Sequence, residues 1–212
     1  MREAESMRET LWRGAGGVDL ALTLAPAGIV LGQGPGGSVE RLTCAGPQPS
    51  IIGVVDAPDL VRVLAFRLLG AGCSVSVRTP APARWKPVLA RSAGRLSIVG
   101  GQQPWPSVPP TPLAPQALLA ETDQSPDAYT GAAWTCVLHD VARIPVRSPF
   151  WSAATAVLVG APGHGKALGL LGRFPGAEVA DRLPPGHLAR CTPEGTRLLR
   201  LATTPAEHHL SG

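Results

Sequence analysis

The stretch SIIGVVDAPDLVRVLAFRLLGAGCSVSVR, residues 50 to 78, decides the fold. It opens with a continuous apolar run from Ile51 to Val55, which is typical of a central strand covered on both faces. A segment of helical length follows, and beyond its first turn its only polar side chains are Arg62 and Arg67, so we expect a mostly buried helix. Residues 74 to 78, SVSVR, then alternate as a strand does. The stretch therefore predicts a β-α-β unit with the usual right-handed crossover.

Hairpin patterns lie on both sides of this unit. Residues 18 to 24, VDLALTL, alternate as a half-buried strand, and residues 28 to 44 form two strand patterns joined by a turn at Gly34 to Gly37. We expect these three strands to form an antiparallel meander. Near the C-terminus, two further strands flank a turn at Pro193 to Gly195. The predicted fold class is α/β: a mixed sheet with one clear β-α-β unit and antiparallel hairpins, Rossmann-like in part.

The domain organisation follows from length and composition. A chain of 212 residues suits one large domain, which we place at residues 18–207. Residues 1–17 are predicted to be an N-terminal lead, with an amphipathic segment as one option, and residues 208–212 a tail. Residues 102–116 contain six prolines, so we expect an extended, stiff connection there.

Positive charge is concentrated in one part of the sequence. The net charge is only +4, but the segment from Leu60 to Ala120 holds seven basic residues and no Asp or Glu. Solvated helix faces are one interpretation, and an electropositive surface for an acidic partner or anionic lipid headgroups is the other. The candidate interaction surface consists of Arg84, Trp85, Lys86, Arg91 and Arg95.

Cysteine spacing and the N-terminus bear on the compartment. The four cysteines are far apart and contain no C-x-x-C pair, so we expect reduced thiols in the core. The N-terminal residues show no signal-peptide pattern, and no apolar run is long enough to span a membrane. We expect a cytoplasmic protein, with peripheral attachment to the inner face of the cell membrane as a further option.

The segment GAPGHGKA, residues 160–167, has the G-x-x-x-x-G-K spacing of a phosphate loop. The position that would bind magnesium is Ala167, and Gly169 and Gly172 weaken the helix that follows. We therefore interpret it as a glycine-rich turn between a strand and a helix, with a degenerate phosphate loop using Gly165 and Lys166 as the alternative. Residues 32–37, GQGPGG, match G-x-G-x-x-G, but a strand follows them, which indicates a hairpin turn.

Catalytic and metal-binding patterns are not recognisable in the sequence. The five histidines have no ligand spacing, no serine lies in a G-x-S-x-G elbow, and no paired acids stand out. We expect no catalytic residue, cofactor or metal.

The residues 28–89, from GIVLGQGPGG to RWKPVL, resemble the cytosolic portion of the EccE component of actinobacterial type VII (ESX) secretion systems. The resemblance consists of a glycine-turned hairpin, a proline-marked loop, an apolar strand, an apolar helix and a strand that leads to Trp85. The later strand-helix-hairpin order extends it to about residue 207. The resemblance implies a peripheral part of a secretion membrane complex, with protein partners among its subunits.

These observations give one main expectation and two alternatives. The main expectation is a noncatalytic scaffold or interaction component that binds secretion-complex subunits, an anionic membrane surface or further copies of itself, but not nucleic acid. The first alternative is a nucleotide-binding enzyme that uses residues 160–167. The second is a degenerate Rossmann-like transferase fold, which an open pocket near Asp56 would favour.

Overall fold

A computed structural model describes residues 9–13, 19–23, 28–100, 103–106, 108–126, 132–208 and 210. The strands are β1 (Glu9–Arg13), β2 (Asp19–Thr23), β3 (Ile29–Gln33), β4 (Val39–Leu42), β5 (Ser50–Val55), β6 (Ser74–Arg78), β7 (Leu96–Ile98), β8 (Gln116–Ala120), β9 (Thr135–Val141), β10 (Ala156–Val159), β11 (His187–Thr192) and β12 (Gly195–Leu201). The α-helices are α1 (Pro58–Gly70), α2 (Lys86–Leu89), α3 (Pro149–Ser152), α4 (Gly165–Leu170) and α5 (Pro205–His208). Short 3-10 turns cover Pro35–Gly37, Pro82–Trp85 and Ala177–Arg182.

Ten strands form one mixed sheet in the order β4-β3-β12-β11-β10-β5-β9-β8-β6-β7. The six strands from β10 to β7 are parallel, and β11, β12, β3 and β4 extend the sheet by antiparallel pairing. The chain leaves β5, crosses through α1 to β6, and later returns to place β8 and β9 between those two strands. The predicted fold class, including the β-α-β unit and the antiparallel hairpins, is confirmed.

The strand β5 is buried along its whole length, as its unbroken apolar pattern predicts. One side of the sheet packs against α1, whose Leu64 and Leu68 are fully buried. On the other side, Trp151 of α3 lies so close to Gly53 that an added Cβ would be 2.3 Å from Cζ3 of the indole. Glycine is therefore required in the middle of β5, because any side chain would displace the tryptophan.

Arg67 joins the C-terminal segment to α1. Its guanidinium donates hydrogen bonds to the backbone carbonyls of Val30, Leu31 and Ala202 and forms a 2.6 Å ion pair with Glu207. Glu207 is only 3% exposed. The buried ion pair is well satisfied, because the guanidinium also binds three backbone carbonyls and Glu207 also accepts a hydrogen bond from the N–H of Thr204.

The structure bears on three predictions about the organisation of the chain: the N-terminal meander, the lead and the C-terminal boundary. The strand β2 pairs with β1 in a separate two-stranded sheet, so the predicted three-stranded meander is wrong and only its β3-β4 hairpin forms. Most of the predicted lead, residues 1–8 and 14–17, lies outside the described residues, whereas Glu9–Arg13 is a strand. Leu210 is fully buried, so packing continues past the predicted boundary at residue 207.

The four cysteines are free and buried, as expected for core thiols. Burial raises the thiol pKa of Cys44 to about 11 and that of Cys73 to about 12. Among the described residues, no helix is both long and apolar enough to cross a membrane.

Candidate functional site

A cleft of about 560 Å³ opens at the carboxyl ends of the parallel strands β5, β9, β8 and β6. The connection after β6 leads outward to β7, whereas the connection after β8 leads back to β9, so the loops diverge at this point. Ligands of open α/β sheets bind at such a switch point, beyond the carboxyl ends of the strands. The lining residues include Asp56, Thr79, Arg84, Glu121, Thr122, Asp123, Asp140 and Arg143.

Asp140 is the most perturbed carboxyl group of the cleft. It follows the buried half of β9, and burial raises its pKa from 3.8 to about 7, with smaller contributions from the negative charges of Glu121 and Asp56. The positive charge of Arg84 acts in the opposite direction. A carboxyl group with this pKa exchanges its proton near neutral pH.

Glu121 is fixed in position by a tryptophan. The indole Nε1–H of Trp85 donates a 2.9 Å hydrogen bond to Oε2 of Glu121. Trp85 ends the Pro82–Trp85 turn and is fully buried, while the preceding residue, Arg84, lines the cleft. The Pro82–Trp85 turn therefore places the Arg84 guanidinium at the cleft and, through Trp85, fixes the carboxylate of Glu121.

The next residue of the same loop, Thr122, is held by a buried histidine. Nε2 of His139 lies 2.8 Å from the carbonyl oxygen of Thr122, and Nδ1 accepts a 3.0 Å hydrogen bond from the indole of Trp151. Because Nδ1 accepts, the ring proton is on Nε2 and is donated to the carbonyl. Burial also lowers the pKa of His139, which favours this neutral form. His139 therefore holds the loop after β8 in place, and both of its ring nitrogens are already hydrogen-bonded.

Residues 160–164 form the turn between β10 and α4, and residues 165–167 begin that helix, an order that both interpretations of the segment predict. The backbone N–H of Gly165 donates a 2.7 Å hydrogen bond to Oδ1 of Asp181, so a carboxylate of the chain itself lies at the position proposed for phosphate. Lys166 is exposed. The turn lies beside the cleft, since a Cβ added at Gly160 would be 2.8 Å from the carbonyl oxygen of Asp56.

The cleft lacks the two features that usually bind a metal-triphosphate complex. The loop after β5 is Asp56, Ala57 and Pro58, with no glycine-rich turn or lysine. Among the residues that the structure describes, no three His, Cys, Asp or Glu side chains converge well enough to hold a metal ion. Arg84 and Arg143 are the cationic side chains that the lining of the cleft offers to an anionic ligand.

Four of the five residues predicted to form the candidate interaction surface are exposed, and the fifth, Trp85, is not. Arg84, Lys86, Arg91 and Arg95 are exposed, so they are accessible to a partner. Trp85 is fully buried beneath them because its ring packs in the core and its N–H is used by Glu121; its assignment to the surface is wrong. That the four basic residues bind a partner stays a prediction.

Sequence reasoning missed Glu121, Asp140 and Arg143 as members of one site. Each lies at or just beyond the end of an apolar strand pattern, which is a local signal but does not show which strands are neighbours. Only Asp56 was connected with a pocket, as a feature that would favour the transferase alternative.

No model of a known protein family matches the chain, and no curated protein matches it in sequence. The solved structures that are similar in fold include the following three. The cytoplasmic domain of the type VII secretion ATPase EccC of Thermomonospora curvata has a TM-score of 0.51 and 14% identity, covering 84% of this chain and 26% of that one. The pCW3 conjugation coupling protein TcpA, solved with ATPγS, has a TM-score of 0.53 and 10% identity, covering 91% and 76%. The genome packaging NTPase B204 of Sulfolobus turreted icosahedral virus 2, in complex with AMPPCP, has a TM-score of 0.52 and 11% identity, covering 74% and 100%.

These likenesses establish the fold and correct one expectation. Each of these three neighbours is named as an ATPase or NTPase or was solved with an ATP analogue. This finding contradicts the prediction that the chain is not an enzyme. The fold is related to that of a type VII secretion protein, although the neighbour is EccC and not EccE. The chain spans about a quarter of the length of that EccC structure.

Proposed function

We propose that this chain is a nucleotide-binding domain of the NTPase fold and that the cleft beyond β5, β6, β8 and β9 holds the nucleotide. The position of the cleft carries the proposal, because it lies where the loops of the parallel sheet diverge. The similarity in fold to three nucleotide-associated proteins supports it. A volume of about 560 Å³ is in the usual range for a small-molecule site.

The side chains of the cleft divide into two groups with different tasks. Arg84 and Arg143 are the guanidinium groups that would bind phosphate oxygens. The Glu121 carboxylate, oriented by Trp85, is placed to accept a proton. In hydrolysis, a water oxygen bonds to the terminal phosphorus, the bond from phosphorus to the bridging oxygen breaks, and the water proton passes to Glu121. The products are the nucleoside diphosphate and phosphate.

We place this activity in a secretion or translocation assembly, with type VII secretion as the specific setting. The similarity of the fold to EccC and the resemblance of residues 28–89 to EccE support this setting. Protein partners, or an anionic membrane surface at the inner face of the cell membrane, would contact Lys86, Arg91 and Arg95. Arg84 borders both this surface and the cleft.

Thermal-shift titration with ATP, ADP and GTP tests the proposal. A nucleotide present at 100 times its Kd adds about 2.7 kcal/mol, which raises the Tm of a chain of this size by about 5 to 10 °C. Phosphate release measured on the same samples tests hydrolysis. Arg143→Ser should remove most of the shift, whereas the matched control Arg182→Ser, an exposed arginine outside the cleft lining, should retain it.

Two results would decide against this site. No shift with any nucleotide at millimolar concentration would refute the proposal. A shift that survives Arg143→Ser but is lost in Lys166→Ala would move the nucleotide to residues 160–167. The surface is tested separately by the triple change of Lys86, Arg91 and Arg95 to Ser, which should weaken capture of anionic vesicles or secretion subunits and leave the nucleotide shift unchanged.

A further inference from the structure

We infer that Asp140 binds the nucleotide in its neutral acid form, donating its proton to a phosphate oxygen, so that nucleotide binding takes up a proton from solution. The inference rests on the proposed function and names a further binding residue of that site. Its geometric basis is the position of Asp140 among other carboxylates of the cleft.

The sheet holds Asp140 between two other acids. It is the register partner of Val54 in β5, two residues before Asp56, and follows His139, the partner of Ala120 in β8. Glu121 comes directly after that partner. The parallel register therefore brings the three carboxyl groups to one edge of the sheet, whichever ligand is present.

Among the described residues, the charged groups that line the cleft around this position come from four loops or turns. The acids are Asp56 from the loop after β5 and Glu121 and Asp123 from the loop after β8; the bases are Arg84 from the turn after β6 and Arg143 from the loop after β9. Two histidines are also near: His139 is buried and neutral, and Nε2 of His164 lies 3.7 Å from Oδ2 of Asp56. With Asp140 ionised, four acids oppose two arginines.

An anionic ligand in the cleft favours the protonated form of Asp140 further. A phosphate group that enters the cleft repels each carboxylate, and a protonated Asp140 removes one negative charge and adds a hydrogen-bond donor. One carboxylate oxygen of Glu121 already accepts the indole hydrogen bond of Trp85. Burial already raises the pKa of Asp140 to about 7, so this carboxyl group is the one that takes the proton at least cost.

Isothermal titration with ADP at pH 6 to 8.5, in two buffers of different ionisation enthalpy, measures the proton uptake. We expect uptake close to one proton per ADP at pH 8 and Kd values that rise by about tenfold per pH unit above pH 7. The terminal phosphate of ADP also titrates near pH 6 and contributes to the measured proton uptake. The uptake by the wild-type protein is therefore compared with that of variants that bind the same ligand.

Two variants isolate Asp140 from the rest of the cleft. Asp140→Asn resembles the neutral acid, so at pH 8.5, with the ligand in the same ionisation state, it should bind ADP about thirtyfold more tightly than the wild-type protein. Glu178→Gln removes an exposed acid that lies outside the cleft lining and should keep the wild-type dependence on pH. Binding of ADP to the wild-type protein with no proton uptake, or with the same pH profile in Asp140→Asn, overturns this inference and leaves the nucleotide site in place. Absence of ADP binding at every pH, in both proteins, overturns the proposed function together with it.

Discussion

The ligand-free protein should gain stability at alkaline pH when Asp140 is replaced by Asn. In the folded protein the pKa of Asp140 is raised to about 7, whereas the unfolded chain has the usual value of 3.8. Between these two values the folded state retains a proton that the unfolded state has released. The stability of the wild-type protein relative to the variant therefore falls as pH rises from about 4 to about 7 and stays low above that.

The magnitude follows from the same two values. A rise from 3.8 to about 7 corresponds to up to about 4 kcal/mol at about 1.36 kcal/mol per pH unit. Asp140 is half-buried, so solvent screening reduces this ceiling, and we expect about 2 to 3 kcal/mol in practice. Asn preserves the shape of the side chain but has no charge to desolvate. Its advantage should therefore grow from about pH 4, where Asp140 of the unfolded wild-type chain begins to ionise, and become constant above about pH 7.

Urea denaturation at pH 4.5, 6 and 8 measures the difference in unfolding free energy between the two proteins. The difference should be smallest at pH 4.5 and largest at pH 8, in favour of Asp140→Asn. The exposed Asp123→Asn serves as the control and should show little change with pH. A constant difference between wild type and Asp140→Asn at all three pH values would refute the reasoning.

Two sets of substitutions and one labelling experiment test the packing of the fold. Gly53→Ala should cost about 1 to 3 kcal/mol in urea denaturation, because the new Cβ would lie 2.3 Å from the ring of Trp151; an unchanged midpoint would contradict this contact. Arg67→Met should cost about 3 to 5 kcal/mol, because it leaves the buried Glu207 without its partner, and adding Glu207→Gln should recover part of the loss. A thiol reagent at pH 8 should modify the native protein slowly and the urea-unfolded protein completely, since all four cysteines are buried; rapid labelling of the native protein would count against their burial.

Local sequence patterns predicted most of the elements. The apolar run of β5, the buried helix α1 and the alternating β6 all form where the sequence places them. The order of strands could not be predicted in this way, because β8 and β9 enter the sheet between β5 and β6 from more than 35 residues further along the chain. A strand that is apolar on both faces fits next to any other such strand, so hydrophobic pattern alone does not choose its neighbours.

The same limit explains why the site was missed. Glu121 and Asp140 meet only because β8 and β9 are parallel neighbours, which the sequence does not reveal. The G-x-x-x-x-G-K spacing is the reverse case, because it is visible in the sequence but does not show which group its loop contacts. Its glycines and lysine are local, but the group that satisfies the N–H of Gly165 is Asp181, which lies 16 residues away. A spacing motif describes what a loop could bind and not what the fold already places there.

The charge asymmetry of the sequence takes on a different meaning in the folded chain. The segment from Leu60 to Ala120 has seven basic residues, but Arg62 and Arg67 are tied to Asp59 and Glu207, and Arg78 donates to the carbonyl of Gln103. The segment therefore presents four exposed basic residues, Arg84, Lys86, Arg91 and Arg95. The next acids after it, Glu121 and Asp123, enter the cleft. The fold thus separates the two signs onto adjacent surfaces, and Arg84 is the one basic residue of the four that borders both. Its substitution should disturb nucleotide and partner binding together, whereas substitution of Lys86 should disturb partner binding alone.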